Sequence, residues 1–366
     1  MDTEVTEFKI MEVLQRALDG DELSVSDGEL LLQVKGKDLQ DLVQTADEER
    51  RRSVGDTVTF VRNRNINFTN ICSGSCSFCA FKRSQGDPDA YVLSLKQIAT
   101  KVREALGLGA TEVCVQGGLH PDFALKNYIE ILRTIKEISP EIHVHGFSPA
   151  ELDHIALQEN LSISEVIKTL QDSGLNSVPG TAAEVLDERV RSIVCPNKIT
   201  SSRWIEVVKT CHSLGLHTTA SMLYGTVETP RELAEHIALL RDIQRSTRGF
   251  TEFVLLGFMP YHTPLWRDDG LPSPSISDSL RVHAVSRLML AGYIDNVQVS
   301  WVKLGPSTAQ LMLNAGANDL GGTLMEESIT RAAGGCLQSM RVEQLEQLIL
   351  EIGRIPRQRS TTYELI

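Results

Sequence analysis

Residues 65–83 read NINFTNICSGSCSFCAFKR. Asn65 to Asn70 has the composition and alternation of a β-strand. The chain then runs directly into Cys72, Cys76 and Cys79, a C-x-x-x-C-x-x-C array. Soft thiolates select iron–sulfur clusters, zinc or copper(I). Three close ligands can wrap three irons of a cubane cluster and leave the fourth iron without a protein ligand. Structural zinc takes four ligands, usually as two close pairs. No second pair follows here, since Cys114, Cys195, Cys211 and Cys336 are isolated. Zinc with a distant fourth ligand remains the alternative, and the four isolated thiols read as inert buried groups.

Outward from this stretch, the chain alternates strand-like and helix-like segments. Strands are expected at Thr57 to Val61, Glu112 to Gln116, Ile142 to Phe147, Leu175 to Val178, His217 to Leu223, Glu252 to Leu256, Asn296 to Val299 and Asp319 to Thr323. Helical periodicity fills the gaps, at Leu95 to Leu106, Tyr128 to Ile138, Trp204 to Leu214, Arg231 to Gln244 and Ser279 to Leu290. Such alternation implies a parallel sheet. Seven or eight units suit a TIM-type (β/α) barrel, complete or partial, with the site on the loops after the strands. A doubly wound open sheet is the second reading.

Residues 1–53 read as an N-terminal helical extension, in which Asp27 is expected to cap a short helix at Gly28 to Leu32. The barrel is expected over 54–353. The polar tail 354–366 is expected to be partly disordered. Gly257 to Ser275, rich in Pro, Gly and Ser, reads equally as a lid or as a long surface loop.

Composition narrows the function classes. The 366 residues carry 36 Lys and Arg against 48 Asp and Glu, a net charge of −12, which argues against binding nucleic acid by bulk electrostatics. No apolar run approaches the roughly 20 residues that span a bilayer. The amphipathic, acidic start lacks signal- and transit-peptide features, so the expected location is cytoplasmic. Seven cysteines, three of them within eight positions, do not resemble a disulfide framework and fit a metal site in a reducing compartment.

The aromatic Phe78 before the last cysteine gives C-x-x-x-C-x-Φ-C, which resembles the signature of the radical S-adenosylmethionine superfamily. The resemblance implies a [4Fe-4S] cluster on Cys72, Cys76 and Cys79, with S-adenosylmethionine chelated by the open iron through its amino and carboxylate groups. It implies that Phe78 packs on the adenine, a flat apolar partner. It also implies that Gly117 and Gly118, in VQGGLH, approach the methionine amino group by backbone. Met222 and Glu228, in MLYGTVE, match the family's adenine-contacting strand end. Without the resemblance, a Gly-Gly is a turn and Glu228 is a loop residue before a helix.

QGGLHPDF, IHVHGFSPAEL, SVPGTAAEVLDERVR with VCPNKI, and TASMLYGTVETP extend the resemblance to residues 55–350. Together they resemble the deazaflavin (FO synthase) and futalosine branch, and most of all its tyrosine-using members. That implies a transferase in which the 5′-deoxyadenosyl radical takes hydrogen from L-tyrosine and the Cα–Cβ bond breaks. The 4-hydroxybenzyl fragment then adds to C5 of 5-amino-6-(D-ribitylamino)uracil. It further implies a ring-closing partner radical enzyme (FO synthase subunit 1) and an electron donor such as flavodoxin or ferredoxin. The alternative within the branch is a futalosine-pathway enzyme of menaquinone biosynthesis. A non-catalytic zinc scaffold is the alternative outside it.

Polar residues at the expected barrel mouth are the substrate candidates. His143 and His145 share one strand face, and His120 follows Gly-Gly. Each histidine reads either as a substrate contact or as a satisfied core residue. Ser148, Glu151 and Thr181 follow strands, and Glu184 could accept from the cofactor ribose hydroxyls. For Glu151 and Glu184 a helix N-terminus is an equal explanation. Lys82 and Arg83 read as anion-steering groups or ordinary loop charges.

Overall fold

A computed structural model describes residues 2–366, with side chains from residue 7 onward. Its strands are β1 Thr57–Val61, β2 Asn63–Asn67, β3 Glu112–Gln116, β4 His143–Gly146, β5 Thr218–Tyr224, β6 Phe250–Gly257, β7 Val297–Val299, β8 Asp319–Gly322 and β9 Ile355–Gln358. All the ladders are parallel. One sheet has the order β5-β6-β7-β8-β1-β9 and the other β2-β3-β4.

The first strand lies beside the eighth (Thr59 opposite Asp319), the order from β5 to β8 advances in one direction, and β9 is added on the other side of β1. A doubly wound sheet would reverse direction at its middle, so the second reading fails and the (β/α) barrel architecture holds. The two sheets meet in two places. At Arg62 the chain bends from β1 into β2. Elsewhere, single bridges pair His145 with Ser177 and Val178 with Thr218. The expected strand at Leu175 to Val178 is thus reduced to two bridging residues.

Helices cover the outside because their apolar stripes face the strands. Capping boxes start many of them: Ser94 with Gln97, Ser148 with Glu151, and Thr229 with Glu232. The N-terminal helices lie on the barrel's outer helices. A Cβ at Gly28 would meet Met289 and Ala234, so glycine permits that close approach. The cap of the short N-terminal helix differs from expectation. The helix is Val25–Leu31 and its N-cap is Ser24, with Asp27 three residues in, closing the box at 2.9 Å to the Ser24 N–H. Both side chains accept from backbone, so a polar pair at this spacing leaves the starting residue open.

The C-terminal tail corrects the sequence reading most. Ile355–Gln358 is ordered as β9 against β1, with Thr57 opposite Ile355. Arg359 beyond it is 2% exposed. Half-exposed edge pairing leaves no apolar alternation to read, and Pro356 is tolerated only on such an edge. Among the described residues, no helix is long and apolar enough to cross a membrane.

Candidate active site

A cavity of about 410 Å³ fills the barrel interior. A barrel of this size ordinarily packs its interior with branched apolar side chains. Here alternate residues of β2 (Asn63, Asn65, Asn67) and β3 (Glu112, Cys114, Gln116) line the cavity with polar groups. Across from them, Val254 and Leu256 of β6 and Trp301 make an apolar wall.

The cysteine loop closes one end. Cys72 donates its N–H to the Arg83 carbonyl at 3.1 Å, and Arg83 donates to Asn70 at 2.8 Å, so the loop returns to its own start. Ser73 binds Leu119 (2.9 Å) and Ser77 binds Val194 (2.8 Å), tying the loop to its neighbours. Gly257 to Ser275 supplies the helix Pro264–Asp269, whose Leu265 N–H donates to the Ser77 carbonyl at 3.0 Å. That stretch is a cover docked on the cysteine loop. The Arg83 guanidinium pairs with Asp89 at 2.7 Å and braces the loop, while Lys82 lines the cavity.

Cys72, Cys76 and Cys79 are free, half-buried thiols that line the same cavity. The Cys72 sulfur accepts N–H groups from Gly74 and Leu119, both at 3.3 Å. A Cβ on Gly74 would sit 3.3 Å from the Cys72 sulfur and 4.0 Å from the Cys76 sulfur, so glycine keeps the space between these two thiols clear. Among the described residues, no group of three or more His, Cys, Asp or Glu side chains is placed to hold one metal ion. A cubane cluster, which offers each thiolate its own iron, fits the donor set. Burial pushes the Cys76 thiol up to about 12, opposed by the Lys198 charge. Coordination removes that proton outright.

Lys198 stood unremarked within VCPNKI, yet it organises this end of the cavity. Its Nζ donates to Glu184 at 2.6 Å and lies 5.6 Å from the Phe78 ring centroid. Burial opposes the Lys198 charge, but the Glu184 carboxylate, and the Cys76 sulfur when it is a thiolate, outweigh it and hold the group above the ordinary lysine range. Glu184, Ala182 and Phe147 have positive φ (46°, 67° and 59°), three non-glycine residues in the left-handed region on loops around the cavity. Such conformations cost energy and cluster at functional sites.

Gly117 and Gly118 are required by packing. A Cβ at Gly117 would lie 2.6 Å from the Phe68 ring. At Gly118 it would fall on the Ile71 carbonyl and 2.8 Å from Cys72 Cβ. Their N–H groups are committed, Gly117 to Glu151 at 3.1 Å and Gly118 to the Thr69 carbonyl at 3.0 Å. Carbonyl oxygens are therefore the groups this turn offers. Glu151 sits at a helix N-terminus, as one of its two readings has it. It is the third helical residue after the Ser148 cap, and it lines the cavity. Burial pushes its carboxyl up to about 7, against hydrogen bonds from Ser148 and Gly117 that favour the charge.

The remaining candidates separate. His145 lines the cavity and bonds Ser177 Oγ through Nδ1 at 2.6 Å. Burial pushes its imidazole down to about 4, so it is neutral near pH 7. Thr181 lines the cavity and donates to Gln116 Oε1 at 3.3 Å. His143 bonds the same Ser177 hydroxyl at 2.7 Å, from two residues nearer the strand start, and is not in the lining. His120 also lies outside it. Its ring packs 4.4 Å from that of Phe123 and its Nδ1 accepts the Asp122 N–H. Met222 faces the helices, because Ser221 and Leu223 on either side take the inward positions. Glu228 accepts from Thr226 N (2.9 Å) and Oγ1 (2.6 Å) and from Gly225 N, so it caps the loop after β5.

A buried charge cluster at the floor was not foreseen. Arg359 bonds Asp319 at 2.5 Å and Glu252 at 3.2 Å, and Tyr363 donates to Glu252 at 2.6 Å. Thr361 donates to Glu112 at 2.6 Å. Burial pushes Glu252 up to about 7, with Arg359 opposing. The tail thus supplies part of the cavity wall.

The model of the radical SAM superfamily matches residues 66–240, and that of the CofH/MqnC C-terminal region matches 247–366. Among solved structures, methylornithine synthase (TM-score 0.74, 18% identity, covering 94% of this chain and 97% of that one) shares the fold. So does the FeFe-hydrogenase maturase HydG from Carboxydothermus hydrogenoformans (TM-score 0.76, 16% identity, covering 98% and 81%). Much nearer are proteins named 5-amino-6-(D-ribitylamino)uracil–L-tyrosine 4-hydroxyphenyl transferase. That of Methanococcus maripaludis strain S2 is 51% identical, over 89% of this chain and 92% of its own length. That of Methanosarcina barkeri is 49% identical, over 96% and 93%. The one from Methanothermobacter thermautotrophicus is 45% identical, over 97% of both. The superfamily uses a [4Fe-4S] cluster and S-adenosylmethionine. This chain belongs to the radical SAM superfamily and, within it, to the family of 5-amino-6-(D-ribitylamino)uracil–L-tyrosine 4-hydroxyphenyl transferases.

Proposed function

We propose that this chain is the radical SAM transferase that cleaves L-tyrosine and joins its 4-hydroxybenzyl group to 5-amino-6-(D-ribitylamino)uracil, a step toward the deazaflavin FO. Identity of 45–51% to relatives carrying that name, over nearly the whole chain, supports the reading. The single observation that carries it structurally is one cavity holding the three thiols, a polar wall and an apolar wall. When bound, the cluster and S-adenosylmethionine supply a 5′-deoxyadenosyl radical through one-electron cleavage of the sulfonium.

The chain's residues bind, orient and exclude water. Cys72, Cys76 and Cys79 are assigned as the cluster ligands. Phe78 offers its ring face to the adenine, with Lys198 and Glu184 fixed beside it. The carbonyls of Gly117 and Gly118 suit the methionine ammonium. His145 is neutral, and its free Nε2 can donate or accept. Glu151, poised near neutrality, can hold or release a proton beside Ser148 and Thr181. Phe258 and Met259 help close the cavity to solvent. An electron donor such as flavodoxin or ferredoxin and the ring-closing partner enzyme complete the scheme.

Reconstituted enzyme is expected to form 5′-deoxyadenosine above background only when tyrosine is present. Formation that instead depends on a futalosine-type nucleoside and ignores tyrosine contradicts the reading.

A further inference from the structure

Asn67 stands out among the residues lining the cavity. It is 8% exposed, and its Oδ1 is fully buried with no hydrogen-bond partner among the described residues. Its Nδ2 has no partner there either, so the whole carboxamide is uncommitted. Leaving a buried polar atom unpaired is costly, and native folds contain few such atoms. Its own strand shows the contrast. Asn63 donates to Glu112 at 3.0 Å and Asn65 donates to Glu327 at 2.7 Å. Only the asparagine nearest the cysteine loop lacks a partner.

A second carboxamide stands beside it. Asn67 is in register with Gln116 on β3, and both line the cavity. Gln116 Nε2 reaches nothing stronger than the Cys114 sulfur, at 3.5 Å. A carboxamide presents one donor and one acceptor side by side. Its natural counterpart is a planar edge with a neighbouring acceptor and donor, the pattern by which Asn and Gln read base edges. Of the two substrates, only the pyrimidine has such an edge, and the adenine of the cofactor, which has one too, is assigned to the Phe78 side of the cavity. The tyrosine ammonium only donates and its carboxylate only accepts, while its phenol ring suits the apolar wall of Val254, Leu256 and Trp301.

We propose that Asn67, flanked by Gln116, reads the donor–acceptor edge of the ribitylaminouracil and sets specificity for that substrate. The inference rests on the transferase reading above. It places the pyrimidine on the β2–β3 wall, next to the cysteine loop.

The test uses the reconstituted holoenzyme in wild-type, Asn67→Leu and Asn67→Asp forms. The KM for each substrate is measured with the other saturating, pyrimidine binding is measured by calorimetry, and thermal midpoints are recorded. Asn67→Leu is expected to raise the pyrimidine KM and Kd at least tenfold and to leave the tyrosine KM within twofold. Its midpoint is expected to equal or exceed that of the wild type, because no protein hydrogen bond is lost. Asn67→Asp keeps the size and removes the donor, and is expected to weaken pyrimidine binding as well. Unchanged pyrimidine binding in both variants overturns the proposal. So does a loss confined to tyrosine or S-adenosylmethionine, or a marked fall in midpoint, which would show a structural role. Wild-type enzyme that couples neither substrate refutes the underlying transferase reading and is thereby distinguishable.

Discussion

The Lys198 ammonium donates to the Glu184 carboxylate at 2.6 Å, and both groups are largely buried beside the cysteine loop. Burial of the Lys198 charge is offset by Glu184, and by Cys76 when its sulfur is a thiolate. Removing one member of a buried pair leaves the other uncompensated, at about 3–5 kcal/mol. Lys198→Met is expected to destabilise the metal-free protein by that amount in urea denaturation. Adding Glu184→Gln is expected to recover most of the loss. Additive losses in the double variant would show that the pair is not coupled.

Glu151 makes stability depend on pH. Its carboxyl lies at about 7 in the fold against an ordinary 4.5, so the folded protein holds the proton more tightly than the unfolded chain. The resulting stabilisation is fully present below pH 4.5 and is lost as pH rises through about 7. Glu252 contributes in the same direction. Denaturation of the metal-free protein from about pH 5 to about pH 8 is expected to show a steeper decline in wild type than in Glu151→Gln. Parallel curves would place the Glu151 carboxyl in the ordinary range.

Gly118 holds the cysteine loop in place by having no side chain. Ala there would press on the Ile71 carbonyl and on Cys72 Cβ. Overpacking of this kind costs about 1–3 kcal/mol. Because the strain falls on the cysteine loop, proposed to hold the cluster, Gly118→Ala is expected to retain less than about half the wild-type iron after anaerobic reconstitution and desalting. Full iron content would mean that the loop yields without disturbing the thiols.

Arg359 joins the tail to the barrel floor through Asp319 and Glu252, all three essentially buried. Arg359→Met strands two carboxylates and is expected to cost about 3–5 kcal/mol in equilibrium unfolding. A protein lacking residues 355–366 is expected to lose more, since β9 also leaves β1. If Arg359→Met is neutral, the floor cluster is not what anchors the tail.

What could be read from the sequence follows the distance over which each signal acts. The Cys72, Cys76 and Cys79 array is compact and its thiolate chemistry is specific, so it was legible. So were strands such as β1 and β3, whose bounds match their alternation and β-branched content. Ser177 and Val178 pair through single bridges, too few to show a period. The floor cluster joins Arg359 to Asp319 and Glu252 across 40 and 107 residues, and no local pattern encodes that. Lys198 was hidden for the same reason. His120, His143, Met222 and Glu228 sit close in sequence to lining residues. Strand alternation turns Met222 away from the cavity, His143 shares the His145 face but lies nearer the strand start, outside the lining, and local loop contacts hold His120 and Glu228.

Transfer of the tyrosine side chain to the pyrimidine is the central claim, and its most direct measurement follows the carbon. Reconstituted enzyme is given ring-¹³C-labelled tyrosine, unlabelled 5-amino-6-(D-ribitylamino)uracil, S-adenosylmethionine and a reductant, and the products are weighed by mass spectrometry. The account predicts one coupled product whose mass equals the pyrimidine plus the labelled 4-hydroxybenzyl group, formed only when all components are present. Label that never joins the pyrimidine, although 5′-deoxyadenosine forms, would contradict it.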